Sequence, residues 1–187
     1  GTRVSLRNVQ VRGLNINAQA GRFSLSNVLV DASGKTSLPH AVRIVGGKDR
    51  VRFSNCTITG AGKVGVLLEK NAAPQLVDSI IWGSPLAVKL GSGQPTFVHC
   101  CLQGGVPEGG DDGGGNLAAD PRFRVVGGRR FLLSDSAVGD VEASRCVDAG
   151  SRLAAAGGLD ERTTRPDRFR DTGPVDLGFH YPLKLAD

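Results

Sequence analysis

The sequence predicts an all-β solenoid of about five stacked coils, closed by a C-terminal extension. Three observations predict it. A short pattern recurs on average about every 23 residues, the intervening stretches alternate apolar and polar with period two, and glycine supplies 27 of 187 residues. That glycine share is about twice the usual one. Hydrophobic residues make up 40% of the chain, which suits a folded domain and excludes wholesale disorder.

The repeat is carried by VSLRNVQVRG at 4–13, FSLSNVLVD at 23–31 and VRFSNCTITG at 51–60, with weaker copies LVDSIIWG at 76–83 and FVHCCLQG at 97–104. The shared order is apolar, x, Asn, x, x, apolar, x, Gly, and the register residues are Asn8, Asn27, Asn55, Asp78 and His99. Asn tolerates the left-handed backbone of a coil corner and bonds neighbouring backbone groups. Stacked along the solenoid axis, such residues can also bond one another as an amide ladder. His99 takes the same place in the last copy. Between the copies, 41–45, 64–68 and 86–90 alternate apolar and polar and predict a second strand per coil. No helical periodicity survives the glycines before residue 140. At one strand spacing per coil, five coils span about 24 Å.

The coils are expected over 1–105 and the capping extension over 106–187, because an open solenoid end invites aggregation and has to be covered. The repeat pattern begins at Arg3, so other copies of the chain or preceding coils are expected as partners at the N-terminal end. Charge divides along the same line. Residues 1–105 carry twelve Lys and Arg against four Asp and Glu, a net +8, whereas the rest nets −3. A basic solenoid attracts acidic polymers. Nucleic acid is a poor fit, since aromatics for stacking on bases are only 5% of the chain. No apolar run approaches the ~18 residues of a membrane helix.

The solenoid reading is similar to a right-handed parallel β-helix of the pectate-lyase-like superfamily. The second half carries a more specific likeness. QGG at 103–105, GGGNLAADPRF at 113–123, RFLLSDSA at 130–137, RCVDAG at 145–150 and VDLGFHYP at 175–182 stand in order. That ordered set resembles the C-terminal half of bacterial choice-of-anchor Q domain proteins. The resemblance implies a secreted or cell-surface bacterial β-helix, commonly the terminal module of a very large protein. The segment 139–145 departs from the family pattern, where a short SP is usual.

Candidate chemistry is sparse. Arg43 and Lys89, with Leu67 between them, are expected to face outward on the second strands, and Lys70 follows at a turn. These cations form a possible polyanion site. A lyase would need a base and a cation to neutralise the substrate carboxylate, and no acidic cluster stands in register beside them. Asp111 and Asp112 in the Gly-rich run 109–115 are weak candidates for calcium, since their spacing matches no calcium-loop pattern. No other cofactor is implied. Asp120, Asp148 and Asp176 each stand beside a turn residue and read as turn caps; a functional reading would cluster them. His40, His99 and His180 have no paired nucleophile, so no catalytic set can be assembled.

The four cysteines sort by register. Cys56 and Cys100 share one position two coils apart, about 9.6 Å, which is beyond bridging range. Cys101 points to the opposite face, toward the extension that holds Cys146, so Cys101–Cys146 is the expected disulfide. Together these features predict a non-catalytic extracellular module with a structural, adhesive or filament-forming role. The alternative is an acidic-polysaccharide-binding protein or polysaccharide lyase.

Overall fold

Every parallel strand pair in the protein joins one pass of the chain to the next. A computed structural model describes residues 2–19, 21–34 and 38–183. The first pass contains β1 (Thr2–Val11) and β2 (Leu14–Asn17), and the second β3 (Gly21–Asp31) and β4 (His40–Val45). The third contains β5 (Val51–Ser54), β6 (Thr57–Thr59) and β7 (Val64–Glu69), and the fourth β8 (Gln75–Val77), β9 (Ile80–Trp82) and β10 (Leu86–Lys89). β11 (Thr96–Val98) and β12 (Cys101–Leu102) follow, then β13 (Asp111–Asp112). Nine of these strands form one large sheet, in the order β12-β9-β6-β3-β5-β8-β11-β13 with β1 also on β3. β10-β7-β4-β2 form a second, four-stranded sheet. The fold is all-β, with the large parallel sheet curled into a half-barrel.

The pairing register explains the core. Leu6, Leu25, Phe53, Leu76 and Phe97 follow one another across neighbouring strands. So do Val30, Ile58, Ile81 and Leu102, and Leu14, Val42, Val66 and Val88 on the second sheet. Because strand side chains alternate between faces, each apolar column buries against the others inside the curl.

The large sheet bends at a fixed point in each pass. Asn8, Asn27, Asn55, Asp78 and His99 all have left-handed backbone, with φ between 48° and 57°. β5–β6, β8–β9 and β11–β12 break at these residues, and the side chain there projects out of the stack. Pairing also runs past residue 105. β13 pairs with β11, Leu117 bridges Cys101, and the amide of His99 donates to the carbonyl of Gly114 at 2.9 Å. The Gly-rich run is therefore one more row on the stack, narrow enough to follow Phe97 and Val98 closely.

The remaining chain lies on the outer face of the strands that follow the bend. It contains the hairpin β14 (Phe123–Val126) and β15 (Arg129–Leu133), a 3-10 turn (Ser136–Val138), the single helical turn α1 (Ala154–Gly157), and the pair β16 (Arg162–Thr163) and β17 (Tyr181–Pro182). Segment 139–145 closes on its own neighbours. Ser144 donates its amide to the carbonyl of Ser134 at 2.8 Å, and the amide of Asp135 donates to Asp140 at 2.9 Å. Two apolar clusters glue the extension down. Leu29 packs with Leu132, Phe179 and Tyr181, and Ile80 and Cys101 pack with Leu133, Cys146 and Leu177. Gly178 (φ 87°) passes so close that an added Cβ would meet Thr57 Oγ1 at 2.6 Å, so no larger residue fits this crossing.

Candidate functional site

The bend residues are the anchor of the extension. Asn27 Nδ2 donates to Asn8 Oδ1 at 3.0 Å and to the carbonyl of His180 at 2.9 Å, while Asn27 Oδ1 accepts the His180 amide at 2.6 Å. Asn55 Nδ2 donates to the carbonyl of Asp176 at 3.2 Å. Asp78 accepts from the amide and hydroxyl of Ser151 at 2.6 and 3.1 Å. His99 Nδ1 meets the carbonyl of Ala149 at 2.8 Å, so that nitrogen carries the proton. Arg152 spans two successive bends, with Nη2 on Asn55 Oδ1 at 2.5 Å and Nη1 on Asp78 Oδ2 at 3.0 Å. Only Asn8 and Asn27 bond each other as ladder members. The other side chains turn away from the stack toward the extension, whose backbone passes within reach of them.

A groove lined by arginines lies on the other side of the bend. Arg3, Arg22, Arg50 and Arg52 line a groove of about 640 Å³ over β1, β3, β5 and β8, with Asp49 as its one carboxylate. Arg3 pairs with Arg22 across β1 and β3, and the carbonyl of Arg50 accepts the Phe23 amide on the next row at 2.8 Å. The backbone positions of Arg3, Arg22 and Arg50 thus recur at one strand spacing, about 4.8 Å. Among the described residues none of the three takes part in an ion pair. Like charges directly opposite across strands repel, so an anion lying over the column would offset that repulsion. Arg50 is steadied by the carbonyl of Gln19 and Arg52 by Gln75 Oε1, both at 2.8 Å. In the sequence the column is an Arg five residues before each of Asn8, Asn27 and Asn55. It precedes the apolar residues Val4, Phe23 and Val51 that open the repeat, and so falls outside the pattern they define.

The three cations singled out in sequence are placed differently. Arg43, Leu67 and Lys89 do stand in one row of the second sheet, but Arg43 is bound to Glu69 at 2.5 Å. Lys70 lies elsewhere, at the end of its pass, where it lines a shallow basic depression with Lys48 and Arg50. These residues do not converge on one site. Asp111 and Asp112 are consecutive in β13, so their side chains leave opposite faces. Asp111 accepts from Thr96 Oγ1 at 3.2 Å, and Asp112 accepts from the Gly114 amide at 2.9 Å. A shared cation between them has no geometric basis.

A carboxylate cluster forms instead from Asp148, Asp171 and Asp176, with oxygens within 4.8 Å of one another. Two of the three aspartates expected as turn caps meet here, while Asp120 stays apart and accepts the Arg122 amide at 2.8 Å. Both oxygens of Asp176 and Oδ2 of Asp171 are occupied by the protein's own donors. His180 Nε2 faces Asp171 Oδ2 at 2.7 Å, and the amide of Asp176 donates to the same oxygen at 3.0 Å. Asp176 accepts from the Asp148 amide at 2.7 Å and from Thr164 Oγ1. His180 Nδ1 donates to the carbonyl of Gly178 at 3.0 Å. With Nδ1 donating, the 2.7 Å contact of Nε2 with Asp171 Oδ2 is a hydrogen bond between ring and carboxyl. Burial, and after it the charge of Asp171, push Asp176 up to about 6. The cluster fastens β16 and β17 to the turn at 145–148.

All four cysteines are buried free thiols. The expected Cys101–Cys146 bond is not formed in this structure, although the two residues share one apolar cluster; Cys101 Sγ donates to the carbonyl of Ala119 at 3.0 Å. Cys56 and Cys100 flank Ser79 in one column, and Ser79 Oγ accepts the Cys56 amide at 3.1 Å.

The Asp176 environment makes stability depend on pH. Between about pH 4 and 6 the folded chain holds a proton that an unfolded aspartate, at about 3.9, has released. The contribution of Asp176 to stability is therefore fully present below about pH 4 and is lost as pH rises through 6, by up to about 1.4 kcal/mol per pH unit. Urea unfolding across this range checks it, and Asp176→Asn is expected to flatten that part of the profile.

Scans of protein-family models, curated proteins and solved structures each return no match to this chain.

Proposed function

We propose that the chain is a right-handed parallel β-helix module that binds an acidic polymer without cleaving it. Handedness rests on the general rule that parallel crossovers are right-handed. The single observation that carries the binding role is the arginine column of Arg3, Arg22 and Arg50, joined by Arg52, in an open groove. Repeating cations along a strand stack match the repeating carboxylates or sulfates of a polysaccharide better than any small anion. Lys48, Lys70 and Arg50 extend the positive surface past the end of the second sheet. A non-catalytic role is favoured because Asp49 is the groove's one carboxylate, whereas calcium-assisted proton abstraction needs several. An extracellular or cell-surface setting is what the resemblance of residues from about 50 to 182 to choice-of-anchor Q proteins implies, and it belongs to this reading.

The test is binding to immobilised polygalacturonate or alginate. The wild-type chain is expected to bind with an affinity that falls as salt rises. The double variant Arg22→Glu/Arg52→Glu should lose at least about tenfold, equivalent to about 1.4 kcal/mol, with its circular dichroism unchanged. Equal retention on a neutral glucan, or release of unsaturated product, counts against the reading.

A second reading, assembly through the first strand, has its own observation. β1 pairs with β3 on one side, and among the described residues nothing pairs with its other edge. Beside that edge a mouth of about 170 Å³ opens between Val4, Leu6, Leu14, Ile16, Phe23 and Leu25. A ten-residue open edge with an apolar mouth favours contact with further copies of the chain. Sedimentation velocity is expected to show mass increasing with concentration, and Leu6→Lys should abolish the increase. A wild-type chain that stays monomeric at every concentration rules this reading out.

A further inference from the structure

The stack divides its four cysteines into two that cannot react with each other and two that can. Cys56 and Cys100 occupy one inward column with Ser79 between them. Their separation is two strand spacings, about 9.6 Å, too far for a bond without backbone movement. Cys101 is next in the chain after Cys100 and points the other way, out of the stack. It meets Cys146 in a cluster of Ile80, Leu133 and Leu177. The two partners belong to different parts of the fold. Cys101 is in β12, fixed by its amide on the carbonyl of Ser79 at 2.8 Å. Cys146 lies in the turn at 145–148, fixed by its amide on Ser144 Oγ at 3.1 Å and by the Leu177 amide on its carbonyl at 2.9 Å.

We propose that Cys101 and Cys146 are a dithiol–disulfide pair whose oxidation fastens the C-terminal extension covalently to the strand stack. The reaction is exchange with a small disulfide such as oxidised glutathione. One thiolate attacks a glutathione sulfur, forms a mixed disulfide and expels one glutathione thiolate. The second cysteine thiolate then attacks the protein sulfur and expels the other. Two protein thiols lose two electrons and two protons overall, and one oxidised glutathione becomes two reduced molecules. Both thiols are fully buried, and the Cys146 thiol is pushed up first by the neighbouring Cys101 thiol and then by burial. Attack therefore waits on local opening of the turn at 145–148, or takes place before the extension docks. The closed pair encloses 44 intervening residues, a loop long enough for a cross-link to restrict the unfolded chain substantially. The pair lies apart from the arginine groove and forms whatever that groove binds.

The experiment refolds the purified chain in oxidised and, separately, in reduced glutathione, alkylates free thiols under denaturing conditions and maps them by mass spectrometry. In oxidised glutathione the expected product has one bond, Cys101–Cys146, with Cys56 and Cys100 alkylated. Its unfolding equilibrium in urea should be less favourable than that of the reduced form by roughly 30- to 1000-fold, the usual range for one disulfide. Cys146→Ala keeps the other three thiols and should show no oxidation-dependent shift. Four alkylated thiols after oxidative refolding, a bond that includes Cys56 or Cys100, or an equal stability shift in Cys146→Ala would each overturn the proposal.

Discussion

A left-handed backbone at one residue per pass is the constraint on which the rest of this structure depends. Held near φ 50°, Asn8, Asn27, Asn55, Asp78 and His99 turn the large sheet and point a polar side chain out of the stack at the same place in every row. Asn and Asp adopt this conformation at small cost, and other side chains do so reluctantly. The turn divides the sheet's outer surface into two faces. The face before it carries the arginine column, and the face after it carries Leu29, Ile80 and Cys101 and is covered by the extension. Polar groups buried by that cover need partners, since each one orphaned costs about 1–3 kcal/mol. Asn27 with His180, Asn55 with Asp176 and Asp78 with Ser151 supply them.

This division is also why one chain can hold opposite charge on two sides. The acidic residues gather in the extension, where Asp171 and Asp176 are hydrogen-bonded locally by His180, Thr164 and backbone amides. The basic residues before the bend keep their charge toward water. A rigid stack spaces them at one strand separation, so the field over the groove repeats along its length.

How much of this is legible in sequence follows from the range of each interaction. The repeat exposes the bends, because Asn at a fixed place among apolar neighbours is a local signal, and the same register separates Cys101 from Cys100. The strand β2 alternates over only Leu14, Asn15, Ile16 and Asn17, and lies outside the stretches whose alternation marks a second strand. The row at 109–117 reads as a loop because glycine supplies no side-chain period. The arginine column is present as a spacing, yet outward positions carry no apolar signature and draw little notice. Arg152 on Asn55 and Asp78, and the meeting of Asp148, Asp171 and Asp176, depend on how the extension folds back over the stack. Asn27 and His180, for instance, are 153 residues apart, and no local pattern encodes that contact.

The central claim, that the bend side chains hold the extension, is tested most directly by amide hydrogen exchange in Asn27→Gly. Glycine keeps the left-handed backbone and removes only the side chain. The account predicts that His180 and the amides of 176–181 exchange at least about tenfold faster, about 1.4 kcal/mol of local protection, while β5 and β8 keep their rates. Unchanged exchange over 176–181, or an equal acceleration through β5 and β8, would contradict it.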